Sequence, residues 1–276
     1  KINWLFIFLI NSLNTIIMNF FFGLESSLFK SRLLIPRFRN KDKNNTNYSL
    51  YELSIHNSSW QFTNMEDCEL NNNFYKININ ENANQKIYCL TSEMEINRMY
   101  KNDFMKLLPL NNYTETSPAF RANLEISIIN GGFSSYQSDY PYSMIKKRGN
   151  VLSSIYSLAN SKAEINKIYF KNIYEIPINI EFNIYIVDTK SKKILNSITG
   201  ITNKTNEIEI ENRFIQPDVY LFTDGYLGIP IYVSINNGHI SMEHTHPPHE
   251  YILSKDRFKV VSEKKKAIYE IIKKNI

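Results

Sequence analysis

The sequence has few of the residues on which cross-linked or flexible proteins depend. It holds two cysteines, eight glycines and nine prolines among 276 residues. These counts exclude a disulfide scaffold, a Cys₄ zinc site and collagen-like or low-complexity chains. We expect Cys68 and Cys89 to be reduced core thiols, as in a cytosolic protein. With 43% hydrophobic and 13% aromatic residues, the chain can bury a core of domain size.

Motifs for phosphate binding and serine catalysis are also missing. There is no P-loop, no Gly-x-Gly-x-x-Gly, and no Gly-x-Ser-x-Gly context around Ser134 or Ser135. The formal net charge is +5, but residues 44–254 carry 17 basic and 22 acidic side chains. A mildly acidic body lacks the clustered basic face that phosphate binding needs, so we expect no nucleic-acid partner.

The amino-terminal stretch has two interpretations. Residues 2–24 carry no charge, are long enough to span a bilayer and precede six basic residues between positions 30 and 43. The interpretation we favour is that residues 1–17 are AT-rich spacer outside the translated protein, which starts at Met18. We therefore expect a cytoplasmic protein, with membrane contact or anchoring through residues 2–24 as the alternative.

The body of the chain has the pattern of short strands. Hydrophobic and other residues alternate from Ile178 to Val187, and Asp224-Gly225 and Asn237-Gly238 are turn signals. Strands at this spacing predict a mainly β fold, an antiparallel β-sandwich or barrel with a few flanking α-helices, and α+β is the alternative.

We divide the chain into four parts and expect three helices. The parts are an apolar and basic extension (1–46), a small α+β part (47–118), an antiparallel β-sandwich (119–254) and a C-terminal helix (255–276). A capping box at Ser92-x-x-Glu95 begins one helix, and Asn150 is the expected cap of another.

Four of the five histidines lie within eleven residues: His239, His244, His246 and His249. A strand through Ile240 and Met242 would put His244 and His246 on its core-facing side, at its end. Two imidazoles side by side suit Zn²⁺, Fe²⁺ or Mn²⁺, and the Pro247-Pro248 turn would let His249 or Glu250 supply a third ligand. The alternative is a rigid polar loop that binds no metal.

This segment resembles two metal-binding motifs. Gly238, His244, His246 and Glu250 resemble the first metal motif of cupins, which implies a bound divalent metal, but the second cupin motif has no counterpart in the 26 residues that follow. The spacing of His244, His246 and His249 is similar to the metallo-β-lactamase signature, with Pro248 in place of its Asp. Each resemblance covers only this short segment.

A second candidate site lies in the tyrosine-rich loop after Gly131-Gly132. Five of its side chains could hold a sugar, because rings stack on its faces while polar groups bond its hydroxyls: Tyr136, Gln137, Asp139, Tyr140 and Tyr142. The alternative is an ordinary packed loop, since tyrosine buries readily when its hydroxyl is bonded.

These patterns favour a ligand-binding β protein. The expected ligand is a small molecule or glycan, or a divalent metal ion (Zn, Fe or Mn), at a rim formed by residues 136–142 and 244–250. One alternative is a metal-dependent hydrolase, isomerase or oxygenase, with His244, His246 and His249 as ligands and Glu250 as a ligand or general base. Another is a structural interaction module without a small-ligand site.

Overall fold

A computed structural model describes residues 19–36, 49–65, 68–70, 74–79, 83–101, 122–140, 142–145, 148–244 and 257–276. The strands of these residues are β1 (Asn19–Phe21), β2 (Lys30–Pro36), β3 (Ser49–His56), β4 (Ser59–Asn64), β5 (Glu69–Leu70), β6 (Phe74–Ile79), β7 (Ile87–Thr91), β8 (Asn123–Ser127), β9 (Phe133–Gln137), β10 (Asp139–Tyr140), β11 (Leu152–Ser154), β12 (Ile165–Lys171), β13 (Glu181–Asp188), β14 (Lys193–Ile201), β15 (Thr205–Glu209), β16 (Val219–Thr223), β17 (Ile229–Asn236) and β18 (His239–His244). The α-helices are α1 (Glu93–Lys101), α2 (Tyr142–Ile145), α3 (Ile155–Leu158) and α4 (Arg257–Asn275), and 3₁₀ turns occur at Ala83–Gln85 and Asn212–Phe214. The predicted antiparallel β fold with a few flanking helices is confirmed.

The strands form four antiparallel sheets. Sheet 1 has the order β10-β1-β7-β3-β4, sheet 2 β5-β6-β2-β8-β9, sheet 3 β15-β12-β17-β18 and sheet 4 β11-β16-β13-β14. Strands up to residue 140 therefore build sheets 1 and 2, and strands from residue 152 build sheets 3 and 4. The domain boundaries expected at residues 46, 118 and 254 stay predictions.

Sheets 1, 2 and 3 surround one apolar core. It takes Phe20 and Leu53 from sheet 1, Leu33 from sheet 2, and Ile231 and Met242 from sheet 3. The part of the uncharged N-terminal stretch that is described, residues 19–24, belongs to this core, because Phe20–Phe22 and Leu24 are buried there. Among the described residues no helix is long and apolar enough to cross a membrane.

Sheet 3 is shared between two cores. Its other face packs on sheet 4, where the ring of Phe170 lies 6.0 Å from that of Phe182. Burial on both faces explains why β17 is hydrophobic along most of its length instead of alternating.

The C-terminal helix α4 covers the outer face of sheet 4. Val261 and Ile268 of the helix pack on Tyr185, Val187 and Phe222 of the sheet. The alternation from Ile178 to Val187 predicts that one face of this strand is exposed along its whole length. Instead, alternation holds only in its first half, because α4 buries the second half from outside.

The two internal helix predictions have different outcomes. The amide of Glu95 donates to Ser92 Oγ (3.3 Å), which confirms Ser92 as the N-cap within the predicted capping box. The prediction of a helix capped by Asn150 is wrong. Leu152–Ser154 form a strand that pairs with β16, and Ser154 is the N-cap of the short helix α3. Pairing with the edge of β16 favours a strand here, although the apolar residues of this segment have helical spacing. Cys68 is half-buried and Cys89 is buried, and no disulfide joins these two described residues.

Candidate functional site

The last strand before the histidine-rich segment has the predicted orientation. β17 and β18 form a hairpin whose turn, Asn237-Gly238, has φ of 48° and 74°, the left-handed values that Asn and Gly tolerate. Along β18, His239 and Glu243 are exposed, whereas Met242 and His244 are buried. His244 therefore shares the core-facing side with Met242, as period two predicted.

Strand β9 of sheet 2 lies against β18 of sheet 3. The amide of Gly132 donates to the Gly238 carbonyl (2.6 Å), and the amide of Met242 donates to Ser134 Oγ (3.1 Å). A Cβ atom on Gly132 would lie 2.7 Å from the Ile240 nitrogen, which is closer than real contacts allow. A residue without a side chain is thus required where the β8–β9 turn meets β18.

The approach of the two strands brings together one residue from each sequence-predicted group, Tyr136 and His244. The rings of Tyr136 on β9 and His244 on β18 are 3.9 Å apart between centroids and cross at 88°. His244 is 3% exposed, and its cross-strand neighbour in β17 is Ile231. The edge-to-face contact in a mostly apolar setting fixes the plane of the imidazole.

The other residues of the tyrosine-rich loop are divided between two sheets. Gln137 is half-buried at the edge of sheet 2, opposite Asn123. Asp139 and Tyr140 form β10 of sheet 1 and are buried: Asp139 Oδ1 accepts from the Ala122 amide (3.2 Å), and the Tyr140 hydroxyl donates to the Leu227 carbonyl (3.4 Å). Burial raises the pKa of Tyr140 above its ordinary range. The side chains of Asp139 and Tyr140 therefore stabilise the fold. Tyr142 is the first residue of α2, and its side chain lies outside the part of the chain that the structure describes.

The remaining predicted metal ligands, His246, His249 and Glu250, lie outside the described residues. Within the ranges that the structure describes, no three histidine, cysteine or carboxylate side chains form a group able to hold a metal ion. Of the predicted ligand set, the structure thus positions His244 alone.

The structure contains two features that no sequence motif predicted. The side chain of Lys171 is fully buried at the end of β12, and a cavity of about 700 Å³ lies between α4 and the Asp224-Gly225 turn. Both had a weak signal. Period two places Lys171 on the same side of β12 as the core residue Tyr169, and the cavity residues Phe258, Ser262 and Tyr269 recur at helical spacing.

Comparison of this chain with protein-family models, with curated proteins and with solved structures found no match.

Proposed function

We propose that the protein binds a divalent transition-metal ion at the β9–β18 junction, with His244 and His246 as ligands. The observation that carries this proposal is the packing of the Tyr136 ring edge-on against the buried imidazole of His244. A metal ligand must aim one ring nitrogen, and a neighbour that fixes the plane of the ring lowers the cost of doing so.

The composition of the segment supports metal over sugar at this junction. His246, His249 and Glu250 follow His244 within six residues, and imidazole with carboxylate suits Zn²⁺, Fe²⁺ or Mn²⁺. A sugar would need the polar groups of the tyrosine-rich loop, but Asp139 and Tyr140 are buried in the fold. Binding is the function proposed, and the role of Glu250 as a general base stays a prediction.

Elemental analysis of protein purified without an affinity tag tests the proposal. We expect near-stoichiometric Zn, Fe or Mn, which disappears in His244→Ala/His246→Ala. The matched control is His56→Ala/His239→Ala, which removes two exposed histidines, one of them on β18 itself, and should retain the metal. Wild-type protein that is metal-free and takes up none of the three ions at neutral pH contradicts the proposal.

The metal affinity should also depend on pH. Only the neutral imidazole binds metal, so protons compete for each ligand nitrogen below the ordinary histidine pKa of about 6.5. We expect affinity to fall about tenfold per pH unit for each histidine ligand below that value. Competition titration with a chromophoric chelator between about pH 5 and 8, the range in which imidazole titrates, measures this slope. A flat profile would argue against histidine ligands.

A further inference from the structure

A groove lined by aromatic, polar and charged side chains lies beside α4, the helix that covers the outer face of sheet 4. One wall is a single face of α4, with Phe258, Ser262, Lys265 and Tyr269, and the opposite wall is formed by Asn150 and Asp224. Its volume, about 700 Å³, is that of a small-ligand site. No residue of this groove belongs to the proposed metal site.

The groove is held in shape by contacts on both sides. Lys265 Nζ donates to the Asn150 carbonyl, and Asn150 Oδ1 accepts from the Gly225 amide (3.0 Å). Beside it, Lys264 Nζ lies 4.2 Å from the centre of the Tyr220 ring, and Ile268 anchors the helix in the apolar layer on sheet 4. These contacts fix the spacing between the two walls before any ligand arrives, which lowers the entropic cost of binding.

The charges of the walls balance. Asp224 and Glu270 supply two carboxylates, and Lys265 and Lys266 supply two ammonium groups. These four lining groups therefore carry no net formal charge between them. The same groups, with Ser262 and Asn150, offer a dense mixture of hydrogen-bond donors and acceptors, which suits an uncharged ligand with many hydroxyl groups.

Two aromatic rings complete the chemistry. Phe258 is 63% exposed and Tyr269 is 38% exposed, although large rings are usually more buried. They are eleven residues apart on one helix face, a rise of about 16 Å. That span exceeds one pyranose ring, whose apolar C–H faces stack on aromatic rings.

We propose that the groove between α4 and the Asp224-Gly225 turn binds a neutral oligosaccharide of more than one sugar ring. Phe258 and Tyr269 stack on separate sugar units, and Asp224, Asn150 and the lysines bond the hydroxyls between them. This site is independent of the metal site, and protein with the His244→Ala/His246→Ala change should retain it.

The test is a titration of isotope-labelled full-length protein followed by amide chemical shifts. The probes are maltotriose, cellotriose and N-acetylchitotriose, with glucose and N-acetylglucosamine as single-ring comparisons and trigalacturonate as a charged one. We expect at least one neutral trisaccharide to shift the amides of Gly225 and Asn150 at millimolar concentration, and to bind more tightly than its monosaccharide.

Variants assign the binding to the groove. Tyr269→Ala should weaken it about tenfold, as loss of one stacked ring predicts. Tyr156→Ala, at an exposed helical tyrosine away from the groove, should leave it unchanged, and the dispersed amide spectrum of each variant checks folding. Absence of shifts with all three neutral trisaccharides, binding of trigalacturonate alone, or equal losses in both variants would overturn the proposal.

Discussion

Lys171 is a lysine whose side chain is fully buried. Its Nζ donates to the backbone carbonyls of Lys86 (3.0 Å) and Asn84 (3.4 Å), so it ties β12 of sheet 3 to the 3₁₀ turn beside sheet 1. Burial disfavours the charged form and lowers the pKa of Lys171 to about 7. In the unfolded chain the ordinary pKa of a lysine is about 10.4.

Stability should therefore rise with pH through the neutral range. Between the folded pKa of about 7 and the unfolded value, the unfolded chain binds the extra proton, so each rise in pH favours the native state. We expect a gain of about 2 kcal/mol in the free energy of unfolding from pH 6.5 to 8.5. Urea melts at both pH values measure it.

The variant Lys171→Met isolates this effect from other titrating groups. It should lose most of the pH dependence, whereas Lys190→Met, at an exposed turn lysine, should keep it. The burial-raised pKa of Cys89 opposes the gain at the upper end of the range in all three proteins, so the difference between them is the decisive quantity. Parallel profiles for wild type and Lys171→Met would show that the ammonium stays charged in the fold.

Asparagine illustrates what sequence reasoning misses at the level of single residues. The abundance of asparagine fits AT-rich codons, yet several of these residues have structural roles. Asn203, at a φ of 62°, accepts from the Tyr174 amide (2.7 Å) and donates to the carbonyls of Ile176 and Ile178. Such partners lie about thirty residues away, so spacing along the chain gave no sign of them.

Strand β13 shows how an element's two faces acquire different neighbours. Phe182 points between sheets 3 and 4, where its ring lies 5.2 Å from that of Tyr226, while the next residue, Asn183, is exposed. The alternation that sequence analysis found is therefore real at this point of the strand.

Substitutions at these neighbouring positions should differ sharply in cost. Phe182→Ala removes a buried ring from a filled core and should lower the free energy of unfolding by about 3–5 kcal/mol. Asn183→Ala should change it by no more than about 0.5 kcal/mol, because the side chain is at the surface. Denaturant melts give both values, and similar losses at the two positions would contradict the alternation of buried and exposed residues in this part of β13.

Elements with a long, regular pattern were predictable, and short ones were not. The apolar stripe of α4 and the alternation of β13 each follow one period over many residues, so local sequence determines them. The segment after Asn150 fits a helix and a strand equally well over a few residues, and the open edge of β16 decided between them. Likewise β18 could be predicted, but its packing on β9 depends on residues more than a hundred positions away.

At the scale of the whole molecule, the sheets are arranged in a ring. Within this ring, sheet 2 meets sheet 3 where β9 lies against β18. The close approach depends on Gly132, whose hydrogen atom occupies the place where a methyl group would meet the backbone of His239 and Ile240. Backbone atoms in paired strands cannot move aside cheaply.

Gly132→Ala should accordingly destabilise the protein by about 1–3 kcal/mol, the usual cost of overpacking. Ser135→Ala, at an exposed position of β9, is the matched control and should have little effect. Thermal or urea unfolding compares them. A Gly132→Ala protein as stable as the control would mean that the two sheets can separate without loss.

The pairing of early strands with late ones also sets the time that folding takes. β1 pairs with β10 and β2 with β8, and the Phe22 amide reaches Ser138 across 116 residues of chain. A chain growing at about 5–20 residues per second leaves Phe20–Leu24 without these partners for roughly 6–23 seconds. Contacts between residues so distant in sequence also form slowly once the chain is complete. During that interval these apolar side chains are exposed, so refolding yield in vitro should fall as protein concentration rises.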